Sequence, residues 1–151
     1  MNLDRYTIIF DKEHESYGFV SEGPKGLIKK IVAYRRFVNW HDNIYNLGFG
    51  DWDEKNQGIN DFVRSNNNDR DKILVTVAAT VLDFTERNPG AIIYAEGTTP
   101  SRTRLYQMGI SANRIEINDL FNIYGYWQGE WKPFQSGHNY EAFILIVKKS
   151  M

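Results

Sequence analysis

The chain has 151 residues, no cysteine and a formal net charge of −1, with 42% hydrophobic and 25% charged residues. This is ordinary globular composition and excludes a disordered chain, while the absence of cysteine excludes disulfides, thiolate nucleophiles, zinc ribbons and iron–sulfur sites. The near-neutral charge gives no overall electrostatic footprint of a nucleic-acid-binding domain, although a local basic patch is compatible with it.

One globular domain over residues 1–151 is expected at this length, and it needs no disulfide or metal to hold a core. The high aromatic content, 15%, favours strands. Arg5–Phe10 and Tyr17–Ser21 read as strands by their β-branched and aromatic residues. Glu22 to Gly26 carries the Gly/Pro chemistry of a hairpin turn. Leu27–Val38 reads as a long strand, and Ile44–Phe49 as a fourth. Asp51–Gly58 is a polar turn, with Ile59–Val63 returning from it.

Ser65–Asp69 is a cluster of helix-capping residues. The helix it opens carries Ile73, Val77, Val81 and Phe84 on one face, widened by Leu74 and Ala78, and Asn88-Pro89-Gly90 stops it. Ala91–Ala95 is a short apolar strand. A second helix follows, with Thr99 as N-cap and Pro100 at its first position, running to Met108 and ended by Gly109. A short helix is expected within Ser111–Asp119. Phe121–Trp127 and Trp131–Phe134 flank a hairpin turn at Gln128 to Glu130, and Tyr140–Lys149 is the last strand. The order strands, helix, strand, helix, strands gives an α+β fold: an antiparallel, curved sheet with two main helices packed on one face.

The strongest chemical signal is Gly97 to Tyr106 (GTTPSRTRLY). A buried strand feeds a turn that opens a helix, whose first N–H groups and partial positive charge favour an anion. Thr98, Thr99 and Ser101 add hydroxyls, and Arg102 adds a guanidinium suited to phosphate or carboxylate. Arg102 and Tyr106 share a helix face, whereas Arg104 points elsewhere. The stretch lacks the Gly-Lys-Ser/Thr ending of a Walker A motif. The commoner reading of such a stretch is structural: Thr99 and Pro100 are ordinary capping residues, and Arg102 and Tyr106 have ordinary roles in an ion pair and the core.

Tyr45 to Asp51 (YNLGFGD) is the second signal. Alternation puts Asn46, Gly48 and Gly50 on one face, where glycine permits close approach of a ligand or backbone and Asn46 both donates and accepts; a bent strand explains the same glycines. The third is Ser65–Asp71, where Asn67 lies either in a polar cleft lining or in a helix cap. His14, His41 and His138 have no metal-ligand spacing, and the acidic Asp51, Asp53 and Glu54 suit a solvated hairpin tip better than a metal. Trp127, Trp131 and Phe134 suit sheet packing better than base stacking.

Four stretches, Tyr45–Asp51 (YNLGFGD), Ser65–Ala78 (SNNNDRDKILVTVA), Gly97–Tyr106 (GTTPSRTRLY) and Asn139–Lys149 (NYEAFILIVKK), resemble an uncharacterised family of bacterial proteins of similar length, mostly from Bacteroidetes-type bacteria. The resemblance covers nearly the whole chain, and the arginine-containing stretch is its most specific part. It implies a stand-alone, single-domain bacterial protein. It carries no established activity, so it transfers no catalytic residue.

Two functions compete. One is binding of a phosphate-bearing ligand, a nucleotide or nucleic acid, at the start of the second helix, by Asn46, Asn67, Thr98, Thr99, Ser101, Arg102, Arg104 and Tyr106. The other is a protein–protein interaction module or homo-oligomer with no small-molecule site, working through the aromatic hairpin or an exposed sheet edge. Neither assigns a catalytic residue, and no cofactor or metal is expected. The first ten residues lack the charged start and long apolar run of a secretory signal, and no stretch is long and apolar enough to span a bilayer. A soluble, cytoplasmic protein is therefore expected.

Overall fold

A computed structural model describes residues 4–38, 43–60 and 67–148. The fold is α+β, with mostly antiparallel strands and three helices among the described residues. The chain divides into two compact units, one of Met1–Arg35 with Leu47–Asp83, the other of Arg36–Asn46 with Phe84–Met151.

The first unit is built from β1 (Ile9–Asp11), β2 (Ser16–Gly23), most of β3 (Gly26–Arg36), β4 (Ile44–Asp53) from Leu47 onward, β5 (Gly58–Asn60) and most of α1 (Arg70–Arg87). β2 and β3 form a hairpin in register from Ser16↔Ala33 to Gly23↔Gly26, with Gly26 at φ 87° in the turn. Side chains alternate across a strand, so Tyr17, Phe19 and Ser21 are buried with Lys30, Val32 and Tyr34 opposite them. Helix α1 binds this layer through hydroxyls. Tyr34 and Thr80 share a hydrogen bond of 2.8 Å, and the Tyr17 hydroxyl donates to Asp83 at 2.6 Å. The Tyr6 N–H donates to Thr76 Oγ1 at 2.9 Å. Val77, Val81 and Phe84 are buried as their spacing predicts, and Thr76 and Thr80 are fully buried with them.

Two strand boundaries differ from expectation. The first strand is Ile9–Asp11 rather than Arg5–Phe10, because the backbone at Tyr6 is spent on Thr76 of α1. β4 extends through Asp53, past the expected turn at Asp51, because Asp51 forms an ion pair with the buried Lys30 on β3. The tip falls instead at residues 54–57, where Asp53 Oδ1 accepts from the N–H groups of Lys55 and Asn56. The returning strand is Gly58–Asn60; residues 61–63 of the expected strand, Ser65 and Asn66 of the capping cluster, His41 and Lys149 lie outside the described residues.

Asn67 and Asp69, just before α1, reach the β2–β3 hairpin. The Asn67 amide donates to Ser21 Oγ at 3.1 Å and to the Gly26 carbonyl at 2.9 Å, and accepts from the Lys25 N–H at 2.7 Å. The Asp69 carboxylate accepts from the hydroxyls of Tyr6 and Ser21.

The second unit holds β6 (Ile92–Ala95), α2 (Pro100–Ala112), α3 (Arg114–Leu120), β7 (Phe121–Trp127), β8 (Glu130–Pro133) and β9 (Ala142–Val147). Its strands run in the order β6-β9-β7-β8, all antiparallel. Gln128 and Gly129, at φ 51° and 80°, make the two-residue loop whose positive φ angles match strand twist. One face buries Ile93, Ala95, Phe143, Leu145, Phe121 and Ile123. Helix α2 does not stop at Gly109. It continues to Ala112, where Asn113 closes it by donating both its backbone and side-chain N–H to the Gly109 carbonyl. The short helix expected after it is α3.

Candidate functional site

The site forms where β6 gives way to α2, within the second unit. Alternation along β6 buries Ile93 and Ala95 and turns Tyr94 to the opposite face. Glu96, two residues on, is on the same side, and its Oε1 accepts from the Tyr94 hydroxyl at 2.5 Å.

Gly97 follows and has no room for a side chain. A Cβ there would lie 2.4 Å from Thr103 N and 2.6 Å from Arg102 Cβ. This close approach seats the first turn of α2 on the end of β6. Thr103, 4% exposed, holds the turn: its Oγ1 accepts from Gly97 N–H at 3.0 Å and donates to the Thr99 carbonyl at 3.3 Å. Thr99 is the N-cap, extended at φ −135° and ψ 159°, with its hydroxyl oxygen accepting from Arg102 N–H at 3.2 Å. Pro100 opens the helix as expected.

Phe37 and Asn46 complete the site. Phe37 N–H donates to the Ile44 carbonyl at 3.0 Å, and Ile92 N–H to the Asn43 carbonyl at 2.9 Å. The Phe37 ring stands edge-on to Tyr94, with centroids 5.6 Å apart and an 89° interplanar angle. Together these elements enclose an open concavity of about 390 Å³ lined by Phe37, Asn46, Tyr94, Glu96, Gly97 and Thr98.

Its electrostatics follow from the lining. Burial is the main cause that raises the Tyr94 pKa above the ordinary tyrosine value. The hydrogen bond to Glu96 and the negative charges of Glu96 and Glu141 act in the same direction. Tyr94 is therefore a protonated donor, not a base, and it donates to the Glu96 carboxylate.

Of the residues nominated by the sequence, Asn46 and Thr98 line this concavity from separated parts of the chain. Thr99, Ser101, Arg102, Arg104 and Tyr106 lie on the adjoining helix start and are not among its lining. The Thr99 hydroxyl serves its own helix, and the Arg102 stem abuts Gly97. Arg102 and Tyr106 are half-buried and Arg104 is exposed, as their helical spacing predicts. Asn67 belongs to the first unit, 1% exposed, with its amide bound to the β2–β3 hairpin. Gly48, expected to permit a close approach, has only the Ala33 carbonyl near a would-be Cβ, at 3.8 Å.

Phe37, Tyr94 and Glu96 were not among the residues that sequence nominated, and Gly97 was singled out only as the start of the helix-opening stretch. Period-two alternation through Ile92 to Glu96 carries a signal for Tyr94 and Glu96; Phe37 has none. Trp131 is 41% exposed and meets Tyr94 and Tyr126 edge-on or tilted, at 6.1 Å and 5.1 Å. Trp127 packs on His138 at 4.2 Å, and Phe134 is core, against Tyr140 and Phe143. Among the described residues no cluster of histidine and carboxylate side chains has the geometry to hold a metal, and no helix is long and apolar enough to cross a membrane.

No curated protein and no solved structure matches the chain. Residues 2–149 match a family described as a family of unknown function, DUF6934, and the chain belongs to that family.

Proposed function

For this member of a family of unknown function, we propose binding of a small phosphate-bearing ligand, a nucleotide, in the concavity between β6 and α2. The observation that carries the reading is the meeting of Asn46 and Thr98 with two aromatic side chains beside the start of a 13-residue helix. Binding sites combine apolar and aromatic walls with a few convergent polar groups, and about 300 Å³ suffices for a small ligand. Phe37 and Tyr94 offer rings for a planar group. The helix start offers its positive potential to a phosphate, although Pro100 has no N–H and the Arg102 and Thr103 N–H groups already bond Thr99, and Arg102 in that first turn adds positive charge. Glu96 opposes a phosphate at the β6 end, so the planar group belongs there and the phosphate toward α2.

The test is a thermal-shift panel of inorganic phosphate, nucleotides and short RNA and DNA at low and high salt. A nucleotide at about 100 times its dissociation constant stabilises the fold by about 2.7 kcal/mol. The shift is expected to shrink with salt and to be lost in Asn46→Ala and Arg102→Ala, which keep the wild-type melting temperature without ligand. Absence of any shift, or shifts unchanged in both variants, refutes the reading.

A second reading, docking of a protein partner, is supported by the exposed Trp131 beside Tyr126 on the β7–β8 hairpin. Docking by sheet extension is disfavoured there, because β8 is four residues long and carries Glu130, Lys132 and Pro133, the features that blunt an edge. Docking through the ring itself predicts concentration-dependent association lost in Trp131→Ala. A strict monomer by sedimentation, with no partner retained, contradicts it.

A further inference from the structure

We infer that the concavity selects a base presenting two adjacent N–H donors, as the pairing edge of guanine does, with Glu96 as the group that reads it. The inference rests on the nucleotide-binding reading and names the class of nucleotide.

An ionised carboxylate is acceptor-only, with about four lone-pair sites on two oxygens. In Glu96 one of those sites takes the Tyr94 hydroxyl at 2.5 Å. That bond spans two residues on one face of the strand end and fixes the carboxylate beside the Tyr94 ring. Oε2 and the remaining capacity of Oε1 still accept. A ligand group opposite two carboxylate oxygens must offer two donors about as far apart as the oxygens, as in other forked pairs.

The common bases differ sharply on this point. Guanine presents N1–H and the 2-amino group side by side. Hypoxanthine presents N1–H alone. Adenine presents one amino donor next to the N1 lone pair, which faces a carboxylate oxygen with repulsion. Xanthine presents N1–H next to a carbonyl. Phe37 and Tyr94 stand perpendicular to each other, so one ring face stacks on any of these bases and supplies affinity, while Glu96 supplies choice.

Replacing the carboxylate by an amide changes the pattern from two acceptors to one acceptor and one donor. At the N1 and 2-positions read by the carboxylate, that is the complement of xanthine, not guanine. Glu96→Gln is therefore expected to exchange one preference for the other rather than merely weaken binding. Glu96 is exposed, so the variant keeps its fold, which an unchanged melting temperature verifies.

The experiment is isothermal titration of the wild type and Glu96→Gln with guanosine, inosine, adenosine and xanthosine monophosphates. The wild type is expected to bind guanosine monophosphate most tightly and adenosine monophosphate at least about tenfold more weakly, the discrimination typical of a two-bond base contact, with inosine monophosphate between. In Glu96→Gln the guanosine preference over adenosine is expected to fall below about threefold and xanthosine monophosphate to become the tightest ligand. Equal binding of guanosine and adenosine monophosphates by the wild type overturns the inference and leaves the nucleotide reading standing. So does a guanosine preference that survives Glu96→Gln. Absence of binding by all four overturns both.

Discussion

The seating of α2 on β6 makes Gly97→Ala the sharpest structural perturbation of the site. A Cβ at Gly97 would lie 2.4 Å from Thr103 N and 2.7 Å from Arg102 C. Both are backbone atoms, so no side-chain rotation relieves the contact. To reach ordinary van der Waals separation the first turn of α2 must move by about 1 Å, stretching the bond from Gly97 N–H to Thr103 Oγ1, which stands at 3.0 Å. Overpacking of this kind costs about 1–3 kcal/mol. For a chain of this size that is a fall of roughly 2–12 °C in Tm. Differential scanning calorimetry with urea unfolding measures it. Gly90→Ala is the control: Gly90 has φ 85° and open space around a would-be Cβ, so its cost, about 1–2 kcal/mol, comes from left-handed backbone alone. Nucleotide binding is expected to weaken in Gly97→Ala and to be unchanged in Gly90→Ala. A Gly97→Ala protein that melts with the wild type refutes the close seating.

Further outcomes follow from other contacts. Asn67→Ala strips partners from Ser21, the Lys25 N–H and the Gly26 carbonyl and is expected to cost about 1–3 kcal/mol by urea unfolding, the penalty for unsatisfied buried groups; a change under about 0.5 kcal/mol contradicts its role. Lys30→Met leaves Asp51 without its buried cation and is expected to cost about 3 kcal/mol, again by urea unfolding, with stability near wild type counting against the pair. His14 sits 2.8 Å from Asp11, and the hydrogen bond between them raises the His14 pKa above 6.5 and lowers the Asp11 pKa below 3.8. The histidine part of their mutual stabilisation is full below 6.5 and lost as pH rises through the raised folded value. The aspartate part is full above 3.8 and lost as pH falls through the lowered folded value. An NMR titration of the His14 ring is expected to show a midpoint above 6.5 that returns toward it in Asp11→Asn; identical midpoints contradict the pairing.

The sequence made local features legible where one short-range rule decided them. The Val77, Val81 and Phe84 stripe, the Thr99 cap and the Gln128-Gly129 turn each follow from spacing or backbone preference within a few residues. What it hid depends on partners far along the chain. Thr76 and Thr80 are fully buried because Tyr6 and Tyr34 bond them, and polarity scales give no hint of that. β4 runs past its expected end because Lys30, 21 residues earlier, pairs with Asp51. Helix α2 passes through Gly109 because Asn113 caps it one turn later. At the site, Asn46 and Thr98 were legible as polar residues flanking glycine. Their meeting, and the parts of Phe37 and Tyr94, depend on the backbone bonds from Phe37 to Ile44 and from Ile92 to Asn43. Capping and ligand binding draw on the same residue types, so only the three-dimensional bonds separate the Thr99 hydroxyl, spent on its helix, from Thr98 in the lining.

The most direct test of the ligand site is a residue-resolved NMR titration with guanosine monophosphate on isotopically labelled protein. The expected result is saturable shift changes concentrated at Asn46, Glu96, Gly97 and Thr98, with the Asn67 and Lys25 amides unmoved. A spectrum that stays unchanged to millimolar ligand, or changes only at residues outside this lining, contradicts the account.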